Sequence, residues 1–326
     1  MVPNTITNAL TTLNLTAGYR GPQQVRLFEN LNLVLHPGEL VCFMGPNGIG
    51  KSTLLRTLAG LQPPLSGEIV FPNVPGTQRK ENYVSVVLTD RIRTSHLTVY
   101  ELISFGRYPY LDWTINLSNR DKDIIDRSIA QVNIERLTDK KIDELSDGQM
   151  QMVMIARALS QDTPVLLLDE PTAHLDLNNR VEIVNLLRKL SATTGKAILM
   201  TTHELELALQ TADVVWLATQ DKIIKIGAPE DLVLDGSFDR VFNFKGYDLR
   251  TGKMGQEAHR GISIHLVGEG PEYVWTKNAL ERSGFFVLNN GNVEVVIKKE
   301  NELAWCLSGH PDFKTLASLI AELKKK

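Results

Sequence analysis

Cysteine is nearly absent from this 326-residue sequence. There are two, Cys42 and Cys306, far apart and without a CxxC neighbour. That excludes a disulfide scaffold and a paired-cysteine metal site, and two reduced, buried or half-buried thiols are expected. A basic surplus is missing too. Lysine and arginine number 35 against 38 acidic residues, so the electrostatic footprint of nucleic-acid binding is not there and no nucleic-acid partner is expected. No apolar run approaches the roughly 18 residues that a membrane-crossing helix needs. The first residues, MVPNTITNALTTLNL, lack the basic-then-apolar pattern of a secretory leader. Any work at a membrane is therefore expected to go through a partner. Internal repeats and low-complexity tracts are also lacking.

The apolar share, 43%, is ordinary for a globular protein, and the length suits one large domain and one small one. Residues 5–45 alternate short apolar stretches with turns, the pattern of an antiparallel β start. Leu40–Met44 reads as a strand and Ser52–Leu58 as a helix with Gly60 as its stop. EIVF and YVSVVL read as strands, residues 97–141 as helical, and 146–160 as a second clear helix. Val165–Leu168 and Ala197–Thr201 are strands either side of a helix at 178–190. Such alternation predicts an α/β protein, a mainly parallel sheet with helices on its faces. Between residues 236 and 261 the texture turns glycine-rich and weakly periodic. The boundary is placed there, with 1–245 as one domain and 246–326 as a small α+β accessory domain. In the accessory domain ISIHLVG predicts a strand, PEYVWTKNALERSG a helix, FFVLNN and VEVVIKK a hairpin pair, and FKTLASLIAELKKK a closing helix. His259, His265 and His310 are scattered through it without ligand spacing.

Gly45–Thr53 reads GPNGIGKST and fits G-x-x-x-x-G-K-[ST] throughout. Glycines let consecutive N–H groups turn into one concavity, and a helix N-terminus behind them favours anionic phosphate. Gly45, Pro46, Asn47, Gly48, Gly50, Lys51, Ser52 and Thr53 thus form a candidate ATP phosphate cradle. Lys51 is expected at the β- and γ-phosphates and Ser52 at Mg²⁺. Downstream, VLLLDEP places Asp169 and Glu170 at the C-terminal end of an apolar strand, where open α/β sheets bind ligands. Asp169 suits the second Mg²⁺ contact, and Glu170 suits accepting a proton from an attacking water. Between the loop and VLLLDEP, LSDGQ, Leu145–Gln149, opens a helix in which Ser146 and Gln149 complete a capping box.

GPNGIGKST, LSDGQ, VLLLDEP, AHLD and the lone His203 stand in the order found in nucleotide-binding subunits of ABC transporters. Over residues 5–245 the sequence resembles that family. The resemblance implies a P-loop NTPase cassette with a parallel sheet core, an antiparallel β subdomain and a helical subdomain. It also implies a head-to-tail pair of copies, with ATP between the phosphate loop of one and Ser146, Gly148 and Gln149 of the other. By the same resemblance His203 is the switch histidine at the γ-phosphate, Asp176 belongs to the loop that crosses to the second copy, and Tyr19 stacks on adenine. Two positions depart from the family pattern. Asp147 stands where glycine is commoner. Thr89, followed by Asp90, stands where the family has a glutamine that contacts Mg²⁺, which makes Thr89 an uncertain metal contact.

About ninety residues separate loop and signature, too few for the coiled-coil chromosome ATPases. The single cassette excludes the two-cassette translation factors. LTVYELISFGRYPYLDW, Leu97–Trp113, resembles the cassettes of iron–siderophore, haem and cobalamin importers. These resemblances imply an ATPase that works with an integral membrane permease and indirectly with a substrate-binding protein. It would sit peripherally at the cytoplasmic face of the plasma or inner membrane. The alternative reading is a soluble ABC ATPase of iron–sulfur assembly.

Overall fold

The computed structural model describes residues 8–21, 24–71, 83–89, 96–113, 115–244, 247–249, 253–254, 260–299 and 303–325. These divide into two compact units, 1–243 and 244–326. In the first, β1 (Leu10–Tyr19), β2 (Val25–Leu31) and β3 (Val34–Leu35) open the chain, and β4 (Leu40–Met44) follows. The helix α1 (Lys51–Leu58) precedes β5 (Ser66–Val70) and β6 (Val84–Val87). Three helices come next: α2 (Val99–Ser104), α3 (Asn119–Gln131) and α4 (Asp147–Ser160). The chain then alternates through β7 (Val165–Asp169), α5 (Leu177–Thr194), β8 (Ala197–Thr201), α6 (Leu205–Thr211), β9 (Val214–Ala218) and β10 (Ile224–Gly227). It ends with α7 (Pro229–Leu234) and α8 (Ser237–Phe242).

Five of these strands form the parallel core, in the order β9-β4-β8-β7-β6, and β10 adds an antiparallel edge beside β9. Every residue of β4, β7 and β8 is buried. Strands covered on both faces read as continuous apolar runs, which is why VLLLD and AILMT carry no polar alternation. A second, antiparallel sheet forms around β1, which pairs with β2, β3 and β5. Helices α2, α3 and α4 pack on one another as a separate layer.

The turn after α2 is anchored by its sequence. Phe105–Tyr110 is a 3₁₀ segment. A side chain at Gly106 would stand 2.1 Å from Ser160 Oγ and 2.3 Å from the Arg157 carbonyl oxygen, so only glycine lets the segment lie on α4. Arg107 is buried, with Nε 2.8 Å from Asp121 Oδ1 and a donated bond of 3.0 Å to the Ser160 carbonyl. Tyr108 and Trp113 stay exposed, Trp113 at 91%. Asp121 is the third residue of α3, in a capping box with Ser118. Burial works to raise its carboxyl, but hydrogen bonds from the Ser118 and Arg107 side chains and the Ser118 N–H outweigh this and hold it below the ordinary value of 3.8.

In the second unit β11 (Tyr247–Asp248) and β12 (Lys253–Met254) pair with each other. They are followed by β13 (Ser263–Val267), α9 (Gly270–Arg282), β14 (Phe286–Val287), β15 (Val293–Lys298), β16 (Ala304–Leu307) and α10 (Leu316–Leu323). The expected hairpin of FFVLNN and VEVVIKK does not form. Both segments pair in parallel with β13, on its opposite sides, in the order β14-β13-β15-β16. The hairpin partner of β15 is AWCL, β16. The reason is the crossover through α9, which returns the chain parallel to β13 and leaves β13 between the two segments. Trp305 anchors this core, donating from Nε1 to buried Thr276 Oγ1 at 2.8 Å. His259 lies outside the described residues. Among those described, no cluster of histidine, cysteine and carboxylates could hold a metal ion.

Two measurements test the Arg107 anchor. Arg107→Leu strands a buried carboxylate, a change that costs about 3 kcal/mol, and should lower the urea midpoint accordingly. Because the folded-state carboxyl of Asp121 is depressed, its contribution is complete above pH 3.8 and is lost as pH falls through the depressed value. The wild type should therefore lose stability on acidification through that range, and Asp121→Asn should flatten this part of the profile.

Candidate functional site

The phosphate loop joins the end of β4 to α1. Gly50 caps the helix at φ +112, a conformation closed to residues with a side chain, and a Cβ there would also meet Leu27 at 2.9 Å. Lys51 follows with only 6% of its surface exposed. Its ammonium donates to the carbonyl oxygens of Gly45 (2.9 Å) and Pro46 (3.2 Å). Burial pushes that ammonium below the usual lysine range, while the Glu170 and Asp169 carboxylates pull the other way. Asn47 and Gly48 face solvent at the tip of the loop. Thr53 is buried, and its hydroxyl shares a 2.5 Å hydrogen bond with the Tyr19 hydroxyl. The Tyr19 residue is half exposed, which leaves ring surface beside the loop open.

The parallel sheet brings the downstream residues to the same edge. Ser52 Oγ donates to Asp169 Oδ1 at 3.0 Å, across 117 residues of sequence. Asp169 is buried, and the same oxygen accepts from Thr201 Oγ1 at 2.7 Å. Glu170 sits next to it at φ +48, a left-handed conformation that costs a non-glycine residue about 1 kcal/mol or more. His203 Nδ1 lies 3.7 Å from Glu170 Oε2, and its Nε2 lies 3.6 Å from Glu204 Oε1. Thr89 Oγ1 donates to the Asp169 carbonyl at 3.0 Å. Asp90 lies outside the described residues.

Ser146, Gly148 and Gln149 form a separate place. Ser146 caps α4, accepting from the Gln149 N–H at 3.3 Å, and Gln149 Oε1 accepts from the Ser146 N–H at 3.1 Å. The hydrogen bonds of Ser146 and Gln149 close on the cap itself, while those of Lys51 stay within the phosphate loop. They line a surface cavity with Arg136, Lys140 and Asn179. Asp147 is exposed in the first turn of α4, where a carboxylate complements the helix dipole. Asp176 caps α5. Its two oxygens accept from the Asn179 N–H and Nδ2, both at 2.9 Å.

Sequence reasoning did not single out Thr201, Asn179 or Arg180. Arg180 donates from Nε to the Leu175 carbonyl and from Nη1 to Glu204 Oε1, each at 2.6 Å, and so ties the AHLD turn to the residue beside His203. The one signal available for Thr201 was its place at the end of an apolar strand two residues before His203.

Ser52 and Asp169 offer hard oxygen donors 3.0 Å apart. That set fits Mg²⁺, which takes one or two protein oxygens and completes its shell with phosphate and water. The arrangement as a whole suits phosphoryl transfer from a nucleoside triphosphate to water.

Residues 28–173 match the family described as ABC transporter, and residues 261–324 match the family described as Iron ABC transporter C-terminal domain. The chain is 40% identical over 242 residues to the uncharacterized ABC transporter ATP-binding protein MJ0873 of Methanocaldococcus jannaschii, spanning 72% of this chain and 82% of that one. It is 37% identical over 242 residues to the petrobactin import ATP-binding protein FpuD of Bacillus anthracis, spanning 73% and 87%. A solved dimeric, post-hydrolysis state of the ATP-binding cassette MJ0796, bound to ADP and Pi, is similar in fold. Its TM-score is 0.57 at 26% identity, covering 68% of this chain and 98% of that one.

The contact between Asn179 and the signature helix can be tested. A Cβ at Gly148 would stand 2.7 Å from the Asn179 side chain. Gly148→Ala should therefore push Asn179 off Asp176 and cost about 1–2 kcal/mol in urea unfolding. Adding Asn179→Ala removes the clash and should recover part of the loss. No recovery would mean that something else demands glycine there.

Proposed function

The chain belongs to the ABC transporter ATP-binding family, and from that premise we propose that it powers uptake of a metal chelate through a separate membrane permease. The cargo class is a ferric siderophore, haem or cobalamin. The observation that carries ATP hydrolysis is the convergence of Lys51, Ser52, Asp169, Glu170 and His203 at one sheet edge. The cargo class is supported by the iron-transporter match of residues 261–324 and by the petrobactin-import relative. The same relative speaks for transport over the iron–sulfur assembly reading.

ATP is the substrate. The loop Gly45–Thr53 cradles its phosphates, and Tyr19 offers its open ring surface to adenine. Lys51 exchanges its two carbonyl partners for the β- and γ-phosphates, where its charge is worth more because it is already desolvated. Ser52 and Asp169 would hold Mg²⁺, which would supply neutralisation of the phosphate charge. Thr89 already donates its proton to the Asp169 carbonyl, so a contact with Mg²⁺ would use its oxygen lone pair or a bridging water. Glu170 accepts the proton of the attacking water, and His203 holds the γ-phosphate. The capped N-terminus of α4, with Ser146, Gly148 and Gln149, completes the site from a second copy. It brings a helix dipole to the far side of the same phosphate. Asp176 lies on the turn that meets that copy. No helix among the described residues is long and apolar enough to cross a membrane. The subunit works peripherally, at the cytoplasmic face, on a permease served by a substrate-binding protein. Tyr108, exposed on the anchored turn, and Trp113, exposed just after it, belong to the surface offered to the permease. Residues 246–326, within the second unit, form the accessory part, with regulation as its proposed role.

Glu170→Gln should bind ATP, turn over at least about 100-fold more slowly, and accumulate as a dimer in gel filtration with ATP. Near-normal turnover would remove Glu170 from its role. For the cargo, ATPase stimulation in the reconstituted complex should appear with one of ferric siderophore, haem or cobalamin. Stimulation by none of the three would overturn the chelate assignment.

A further inference from the structure

The peptide unit between Asp169 and Glu170 is held at both ends. Its carbonyl oxygen accepts from the Thr89 hydroxyl at 3.0 Å. Its N–H donates to the Thr201 hydroxyl at 2.8 Å. Thr201 gives its own proton to Asp169 Oδ1 at 2.7 Å, so donor and acceptor are both committed to the same dipeptide. The two threonines come from opposite sides. Thr201 ends β8 and Thr89 follows β6, the two neighbours of β7 in the sheet.

The grip matters because of the backbone it holds. Glu170 has φ +48, a conformation that a glutamate leaves if it can. The low-cost exit is rotation of this one peptide plane, which changes ψ of residue 169 and φ of residue 170 together and leaves the rest of the chain in place. That rotation swings the carbonyl and the N–H away from their present directions, so both threonine bonds must break. The same rotation re-aims the Glu170 side chain, whose carboxylate now lies 3.7 Å from His203.

We propose that Thr89 and Thr201 form a two-sided clamp on this peptide and act as positioning residues for Glu170. The inference rests on the proposed reading of Glu170 as the proton acceptor. Thr201 is the stronger half, because it is fully buried and no water competes for its bonds. Thr89 is exposed and is the weaker half.

The test is steady-state ATP hydrolysis by the full chain with Thr89→Val, Thr201→Val and the serine variants at both positions. Valine keeps the shape of threonine and removes the hydroxyl. Since misplacing a reacting group slightly costs up to about 100-fold, Thr201→Val should lose about 100-fold in turnover and Thr89→Val about 10-fold. The dissociation constant for a fluorescent ATP analogue should change by less than about threefold, the pattern of a loss in the transition state alone. The serine variants should return turnover to within about threefold of wild type. In a Glu170→Gln background neither valine should lower the residual rate further, because residues acting through one group are not additive. Normal turnover in both valine variants overturns the clamp, as does an equal fractional loss in the Glu170→Gln background. Thr89→Val and Thr201→Ser carry the test if Thr201→Val does not fold. A Glu170→Gln protein that still hydrolyses ATP normally overturns the reading of Glu170 itself. An inactive Glu170→Gln with normal threonine variants overturns only the clamp.

Discussion

A buried carboxylate must be answered by donors or by a cation, and Asp169 sets that demand for the whole site. It sits 5% exposed at the end of a strand with no exposed residue. Ser52 and Thr201 answer it with hydroxyls, and Lys51 feels its charge. These three come from the phosphate loop helix and from β8, so a single acid makes the loop and the sheet edge converge. Left without such partners, an ionised group at this depth would be expelled or neutralised. Ser52 and Lys51, expected at Mg²⁺ and at the phosphates, are two of the groups that meet this requirement.

The rest of the cassette serves to present two helix ends. The N-terminus of α1 lies behind the phosphate loop, and the N-terminus of α4 carries a full capping box in a different place. Under the proposed function the second of these is offered to the nucleotide of a second copy, which is the physical sense of a composite site. Asn179 packs on Gly148 while holding Asp176, so the turn that follows Glu170 and the signature helix are one packed element. Arg180 adds a second tie, from the Leu175 carbonyl to Glu204. The residue proposed as proton acceptor, Glu170, and the surface proposed to meet a second copy are therefore linked through a few side chains on the first turn of α5.

Much of this could be read in advance. Buried parallel strands announce themselves as unbroken apolar runs, and VLLLD and AILMT were legible for that reason. Caps are local, so Ser146 with Gln149 could be assigned from spacing alone. In the second unit the hairpin reading failed because FFVLNN and VEVVIKK carry strand character but nothing in either says which neighbour it pairs with. The α9 crossover decided that, by returning the chain parallel to β13. Asp169 and Glu170 were singled out because acids at the end of an apolar strand stand out. Thr201 was not, because a threonine ending a strand is ordinary until its two partners are seen.

By itself the sequence determined the order of motifs, the existence of a phosphate loop and the family. Each of these rests on residues close together in the chain, where backbone geometry ties residue type to conformation. Only the tertiary structure decided which hydroxyls meet Asp169, that Glu170 is held in a left-handed turn, and that Thr89 is bonded to a peptide carbonyl. Those facts depend on the register of β6, β7 and β8, and register is fixed by packing across the sheet.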